Sequence, residues 1–430
     1  MTPRELAAKK NKLQWSRRDI LAGLASGGAL TATFPTTAHA AEILRPALKN
    51  NQGYWETIRS QFPIKPDYIM MNAANLCPTH KSVTEFFQSL TNDREGDLSF
   101  HNRGKFRKTK ERSRYLVADY LAVESTEIAL TRNTSEGNNT VITGLHLGPG
   151  DEVVIWDQNH PSASLAWKTR AKREGFTVKE VTTPMHPSDP EELMSAFTSQ
   201  FTKRTRVFSA SHVSNTSGVG LPIKELCRYC RQQDILSHID GAQTFGALSL
   251  DLHELGCDFF TGSLHKWPMG PKETGILYVK MGLAEQVWPS IVTVGYDKID
   301  PMSAAKFDNL GQLDDAKVAA IAPAIEFCNQ IGARTVETRL RVITDRLKQG
   351  VRDIPGSVLL TPEEHAMSAG VVIFSLPGIA GRSAFEKLYK EHRIAAAPAG
   401  IIDGIRLSPH VYNTDSEIDR AVEALKNISA

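Results

Sequence analysis

The sequence predicts an α/β protein whose large domain is built on a mostly parallel sheet of about seven strands, with a smaller α+β domain after it. Three observations carry this. Between Ile128 and Val279, apolar runs of strand length alternate with helical segments, the pattern of βαβ units on a parallel sheet. One run, 258–267, is apolar and aromatic until it breaks into a small-residue turn at Gly262-Ser263, as a buried strand does at its end. Past Pro289 the alternation stops, and a long helical region over 316–350 leads into a separate set of strands and helices.

In chain order, residues 41–67 read as an arm with one short helix, and 68–71 as a strand leading into Asn72-Ala-Ala-Asn75. A charged helix is expected over 106–121. Strands follow at 128–131, 152–156, 177–181, 206–211 and 235–240, then at Phe259 and over 275–279. Helices between them begin near Thr134 and cover 162–173, 191–201 and the stretch around Cys227. In the smaller domain, 371–375 and 405–407 read as strands and 383–392 as a helix. Thr414-Asp-Ser-Glu417 is a capping box that opens the last helix.

The chain has 430 residues, 41% hydrophobic and 23% charged, with a net charge of +2. That composition belongs to a soluble globular protein and gives no general attraction to nucleic acid or membrane surfaces. The first forty residues stand apart. Lys9, Lys10 and Lys12 lead to Ser16-Arg17-Arg18-Asp19-Ile20-Leu21, then to a weakly apolar Gly/Ala-rich stretch and Ala38-His39-Ala40. This looks like a twin-arginine signal cleaved before Ala41, with Ile20 where the motif usually has Phe. It implies export through the Tat translocon to the periplasm without stable membrane anchoring. The expected division is 1–40 signal peptide, 41–67 arm, 68–295 large domain, 296–315 inter-domain loop and 316–430 small domain.

The five cysteines, Cys77, Cys227, Cys230, Cys257 and Cys328, are too few and scattered for a disulfide scaffold. Cys227 and Cys230 share an apolar helical face, and no second Cys or His pair stands at zinc spacing, so no metal site is expected. His253-Glu254-Leu-Gly-Cys257 lacks the second histidine of a metalloprotease helix, and Gly218-Val-Gly220 lacks the third glycine of a dinucleotide fingerprint.

Four features fall at the carboxyl ends of expected strands, where open α/β sheets bind ligands. Thr134 and Ser135 begin a helix directly after a strand, which suits either an anion site or an ordinary cap. His160, after the Trp156 strand, can stack on a flat ring or simply pack. Asp240 closes an apolar strand, where a carboxylate needs a cationic partner or caps the next segment. Lys266 follows the Phe259 strand, with Ser263 and His265 beside it as groups able to hold an anion; it is either a desolvated nucleophile or a solvated loop lysine. Together they suit pyridoxal 5′-phosphate, which needs its phosphate held, its ring stacked, its ring nitrogen paired with a carboxylate and its aldehyde tied to a lysine.

The motifs Asn133-Thr-Ser-Glu-Gly137, Ser211-His-Val-Ser-Asn215, Asp240-Gly-Ala-Gln243, Ser263-Leu-His265-Lys266 and the stretch from Arg406 to Thr414 resemble those of class V aminotransferase-family enzymes, the group of cysteine desulfurases and isopenicillin N epimerase-like proteins. The likeness covers roughly 66–430. It implies a fold-type I transferase fold and a homodimer. It also implies that Lys266 holds the cofactor aldehyde, Asp240 pairs with the ring nitrogen, His160 stacks on the ring and Gln243 bonds the ring hydroxyl with Asn215 nearby. Thr134, Ser135, Ser263 and His265 are then phosphate ligands, and Arg406 clamps the substrate carboxylate. A Gly-Thr element from the neighbouring subunit usually completes the phosphate site; here Gly311-Gln312 stands at that position.

One departure bears on activity. Desulfurases carry a nucleophilic cysteine before the carboxylate-binding arginine, and residues 394–406 contain none. The expectation is therefore chemistry at the α-amino centre of an amino acid or a peptide-borne residue, by transamination or a related oxidative change. Exported relatives that mature siderophore peptides of the pyoverdine type are the analogy. Epimerase or C–S lyase activity is the alternative, and a non-catalytic ligand-binding protein on the same scaffold is the reading outside enzymes.

Overall fold

A computed structural model describes residues 52–399 and 402–429. The expected signal segment, its cleavage site and the arm up to residue 51 lie outside the described residues. A short strand, β1 (Ile69–Met70), precedes seven that form one sheet: β2 (Ile128–Thr131), β3 (Glu152–Trp156), β4 (Thr177–Val181), β5 (Thr205–Ser211), β6 (Leu236–Asp240), β7 (Phe259–Ser263) and β8 (Gly275–Val279). Five more follow: β9 (Val358–Leu359), β10 (Val372–Ser375), β11 (Ile394–Ala395), β12 (Ala397–Ala399) and β13 (Gly404–Leu407). The large sheet has the order β2-β8-β7-β6-β5-β3-β4, and only β8 runs against its neighbours.

The continuous apolar runs have a direct cause: helices cover both faces of the sheet, so neighbouring residues in one strand enter opposite cores. In β3, Val153 and Ile155 pack in one core while Val154 and Trp156 pack in the other. In β8, Ile276 and Tyr278 divide from Leu277 and Val279 in the same way. Because the six parallel strands point one way, their carboxyl ends share one edge.

The remaining strands make an antiparallel sheet, β12-β13-β10-β9, and a parallel pair, β1 with β11. The strand expected at 68–71 therefore belongs with the C-terminal strands. Ser408 N–H donates to Met71 O at 2.7 Å and Ala73 N–H to Ser408 O at 3.0 Å, which carries Asn72 alongside β13.

The helical region at 316–350 is three helices, Asp315–Ala319, Ile321–Ile331 and Ala333–Arg352, broken at Ala320 and again at Gly332, whose φ of 91° a side chain would strain. The helix expected over 191–201 ends at Thr198. Three helices were not foreseen, Lys81–Gly96, Phe100–Arg103 and the single turn Leu252–Leu255. The first buries only Val83, so its apolar stripe is too faint to show in sequence. The loop 296–315 is pinned by Asp308, whose buried carboxylate accepts from Arg114 Nη1 at 2.6 Å, Lys110 Nζ at 2.9 Å and the Leu130 N–H at 2.9 Å. That last bond satisfies part of the open edge of β2.

Candidate active site

The helix Thr134–Gly144 begins three residues after β2 ends, with Asn133 as its cap. Asn133 Oδ1 accepts the Glu136 N–H at 2.9 Å. The Thr134 N–H and hydroxyl both reach Ser263 Oγ, at 3.0 and 2.7 Å, so β2 and β7 bring three of the expected phosphate ligands together with Ser135. The turn sits this close to the sheet because β8 opens with a glycine. A Cβ on Gly275 would lie 2.7 Å from Asn133 Cα. Ser135 Oγ donates to Ser162 Oγ at 3.2 Å, and Ser162 Oγ lies 2.8 Å from His160 Nδ1. His160 is exposed and caps the helix Pro161–Glu174. Its Nδ1 also accepts the Ser162 N–H at 3.3 Å.

Asp240, at the end of β6, is 7% exposed; its Oδ1 accepts the Ala242 N–H and its Oδ2 accepts from Asn138 Nδ2, both at 2.9 Å. Lys266, past β7, has no side-chain hydrogen bond or ion pair among the described residues. Burial lowers its pKa, Asp240 opposes that shift and Arg406 adds to it. The three groups are thus close enough to act on one another. Partial desolvation of its ring, with Lys266 and Arg406, also lowers the His160 imidazole against the pull of Asp240, although the residue as a whole reaches solvent. His265 falls to about 4 through burial and the neighbouring Lys266 and Lys272, and its buried Nδ1 has no partner.

Arg406, in the middle of β13, donates from Nη1 to Asn215 O and from Nη2 to Asn72 Oδ1, both at 3.1 Å. Its Nε is buried and unbonded, and burial lowers the guanidinium pKa to about 10. Gln243 is held at both ends of its amide: Nε2 donates to Ala74 O at 3.1 Å and Oε1 accepts from Trp267 Nε1 at 3.0 Å. One N–H of Gln243 is left for a ring hydroxyl. Gln312 is exposed, and its Oε1 accepts from Arg103 Nη2 at 2.7 Å.

The contact of Asn72 with Arg406, Ser162 between Ser135 and His160, and Asn138 behind Asp240 were not foreseen from sequence, although the sequence marks the segment 72–77 as a place to look for specificity. Two signals existed. His238 and Asp240 alternate on one side of an apolar strand, and Asn138 lies one helical turn after Thr134.

These residues fit pyridoxal phosphate. A free lysine, a buried histidine nitrogen without a partner, a helix N-terminus with paired hydroxyls and a carboxylate with acceptor capacity to spare converge on one sheet edge. Among the described residues no cluster of side chains could hold a metal ion, and no helix is long and apolar enough to cross a membrane.

The comparisons agree. The chain is 30% identical over 390 residues to isopenicillin N epimerase of Streptomyces clavuligerus, covering 86% of this chain and 97% of that protein. Its fold matches a C-DES mutant with glycine covalently linked to its PLP cofactor, at a TM-score of 0.79 and 23% identity, covering 86% of this chain and 99% of that one. The apo cysteine desulfurase of Thermococcus onnurineus NA1 superposes with a TM-score of 0.78 at 23% identity, covering 87% and 98%. The aminotransferase class-V model matches residues 77–421. The chain thus belongs to the aminotransferase class-V family and is a pyridoxal-phosphate-dependent enzyme.

Proposed function

We propose that this enzyme acts in the periplasm, as a homodimer, on the α-amino centre of an amino acid or of a residue carried by a short peptide, by transamination or a related oxidative change. The observation that carries the reading is Arg406. A guanidinium this buried, with no carboxylate partner among the described residues and an unbonded Nε, needs an anion, and a substrate α-carboxylate supplies one with matching two-pronged geometry. Lys266 lies beside it with its amine free.

When bound, pyridoxal phosphate supplies a sink for the electron pair left at Cα. The chain does the rest. Arg406 fixes the carboxylate and so orients Cα. Lys266, shifted toward its neutral form, takes the Cα proton as general base and carries it. His160 accepts at Nδ1 from the Ser162 N–H, so its proton sits on Nε2 as a donor at the cleft. Delivery of the proton away from Cα leads to a keto product; reprotonation of Cα on its opposite face leads to inversion. Epimerisation is the second reading, favoured by the 30% identity to an epimerase.

The twin arginines and the Ala38-His39-Ala40 site support export, and an exported enzyme suits a peptide substrate of the siderophore kind. Exposed Trp288, Ile291, Val292 and Val294 precede the loop with Gly311 and Gln312, an apolar run that a second copy would cover, and this supports the dimer. The test is turnover of L- and D-amino acids and short peptides in deuterium oxide. A keto or aldehyde product with accumulating pyridoxamine phosphate supports transamination. Inverted product carrying solvent deuterium at Cα supports epimerisation. Neither product across the panel sinks the proposal.

A further inference from the structure

Behind Asp240 runs a line of buried polar side chains that direct contact with the cofactor does not explain. Asn138 is 0% exposed. Its Nδ2 donates to Asp240 Oδ2 at 2.9 Å, while its Oδ1 accepts from Thr261 Oγ1 at 2.6 Å and lies 3.1 Å from His238 Nε2. His238 Nδ1 lies 3.0 Å from Ser209 Oγ, which accepts from Trp167 Nε1 at 3.0 Å.

The direction of each bond follows from the chemistry of its groups. An indole N–H only donates, so Ser209 receives Trp167 and turns its own proton to His238 Nδ1. Burial lowers the His238 pKa to about 4, so the ring is neutral and its single proton is on Nε2, aimed at Asn138. With two donors on its oxygen, the Asn138 amide has to present N–H to Asp240; the flipped amide would set oxygen against oxygen and lose both donors. Every bond therefore points toward Asp240, and bonds aligned in this way polarise one another. The helix with the Thr134 anion site and the strand with Asp240 are joined through this one amide.

We propose that Asn138, oriented by Thr261 and His238, is a positioning residue that fixes the Asp240 carboxylate and thereby sets how tightly the enzyme grips the ring nitrogen of its cofactor. This rests on the assignment of Asp240 to the ring nitrogen. A purely packing role predicts something different: loss of stability without any selective change in ring recognition.

The test uses the full chain freed of cofactor and titrated with pyridoxamine 5′-phosphate, which carries ring nitrogen and phosphate but no aldehyde for Lys266. Asn138→Leu is expected to weaken binding about ten-fold or more, as loss of a buried bond to a charged group does, and Thr261→Val, nearly isosteric, by about three-fold. His238→Gln, which keeps a donor toward Asn138, is expected to stay within about two-fold of wild type. Inorganic phosphate, followed by competition, should bind all forms equally. If Asn138→Leu does not fold, Thr261→Val and His238→Leu carry the same test. Unchanged pyridoxamine phosphate affinity in these variants, or an equal loss for inorganic phosphate, overturns the proposal and leaves the network as packing. Failure of Asp240→Ala to weaken pyridoxamine phosphate, with wild type binding well, overturns instead the assignment of Asp240.

Discussion

Arg406 Nη2 donates to Asn72 Oδ1 at 3.1 Å, so a residue just past the end of β1 orients the cation in β13. The contact exists because β1 pairs with β11 and Asn72 bridges to Ser408. Asn72→Ala removes one of two bonds that aim the guanidinium while leaving Lys266 untouched. The expected result is a KM raised about ten-fold for a substrate that wild type turns over, with kcat within about three-fold. Arg406→Leu should cost at least a further ten-fold in kcat/KM, roughly, since a bidentate charged contact is lost. Steady-state kinetics separate the two.

Ser263 Oγ meets both the N–H and the hydroxyl of Thr134. Ser263→Ala leaves a buried donor at the helix N-terminus unpaired and removes an expected phosphate ligand. Cofactor affinity should fall about ten-fold, with a loss of about 1–2 kcal/mol of apoprotein stability in denaturant titration.

Lys266 loses its proton at lower pH than a solvent lysine because burial disfavours its charge. Covalent capture of pyridoxal phosphate by the apoenzyme should therefore speed up as pH rises through that lowered pKa. Removing Asp240, which holds the pKa up, should move the midpoint further down; removing Arg406, which pushes it down, should move it up. Stopped-flow growth of the visible band against pH reads both signs.

All five cysteines are buried and free, and burial raises the thiol pKa of Cys77, Cys227 and Cys328 to about 12 each. Native protein should react with Ellman's reagent at less than about 0.1 thiol per chain over minutes, and fully after denaturation. Cys77→Ala should keep cofactor binding, since Cys77 faces Tyr412 at 3.5 Å as a packed thiol.

Buried Arg114 is held by the buried Asp308 at 2.6 Å and by the exposed Glu111 at 3.1 Å. Asp308→Leu leaves Arg114 short of its partner and uncovers the Leu130 N–H. A loss of about 3 kcal/mol or more is expected by denaturant titration.

The large sheet was legible because its strands are buried on both faces, so β3, β6 and β7 show as apolar runs that end abruptly in polar residues. Asp240 and Lys266 stood out as charges placed where those runs stop. The pairing of β1 with β11 was not legible, because two-residue strands carry no periodic pattern and their partners lie at opposite ends of the chain. The helix Lys81–Gly96 was hidden by its single buried residue. The second partner of Gln243, Trp267, and the amide of Asn138 are set by packing across elements, which residue types alone do not specify.

The most direct test of the account is to reduce the holoenzyme with borohydride and locate the cofactor by peptide mass mapping. The phosphopyridoxyl group is predicted on Lys266 and on no other lysine, with Lys266→Ala protein carrying none. A label on a different lysine, or wild-type protein that remains unlabelled after incubation with pyridoxal phosphate, would contradict it.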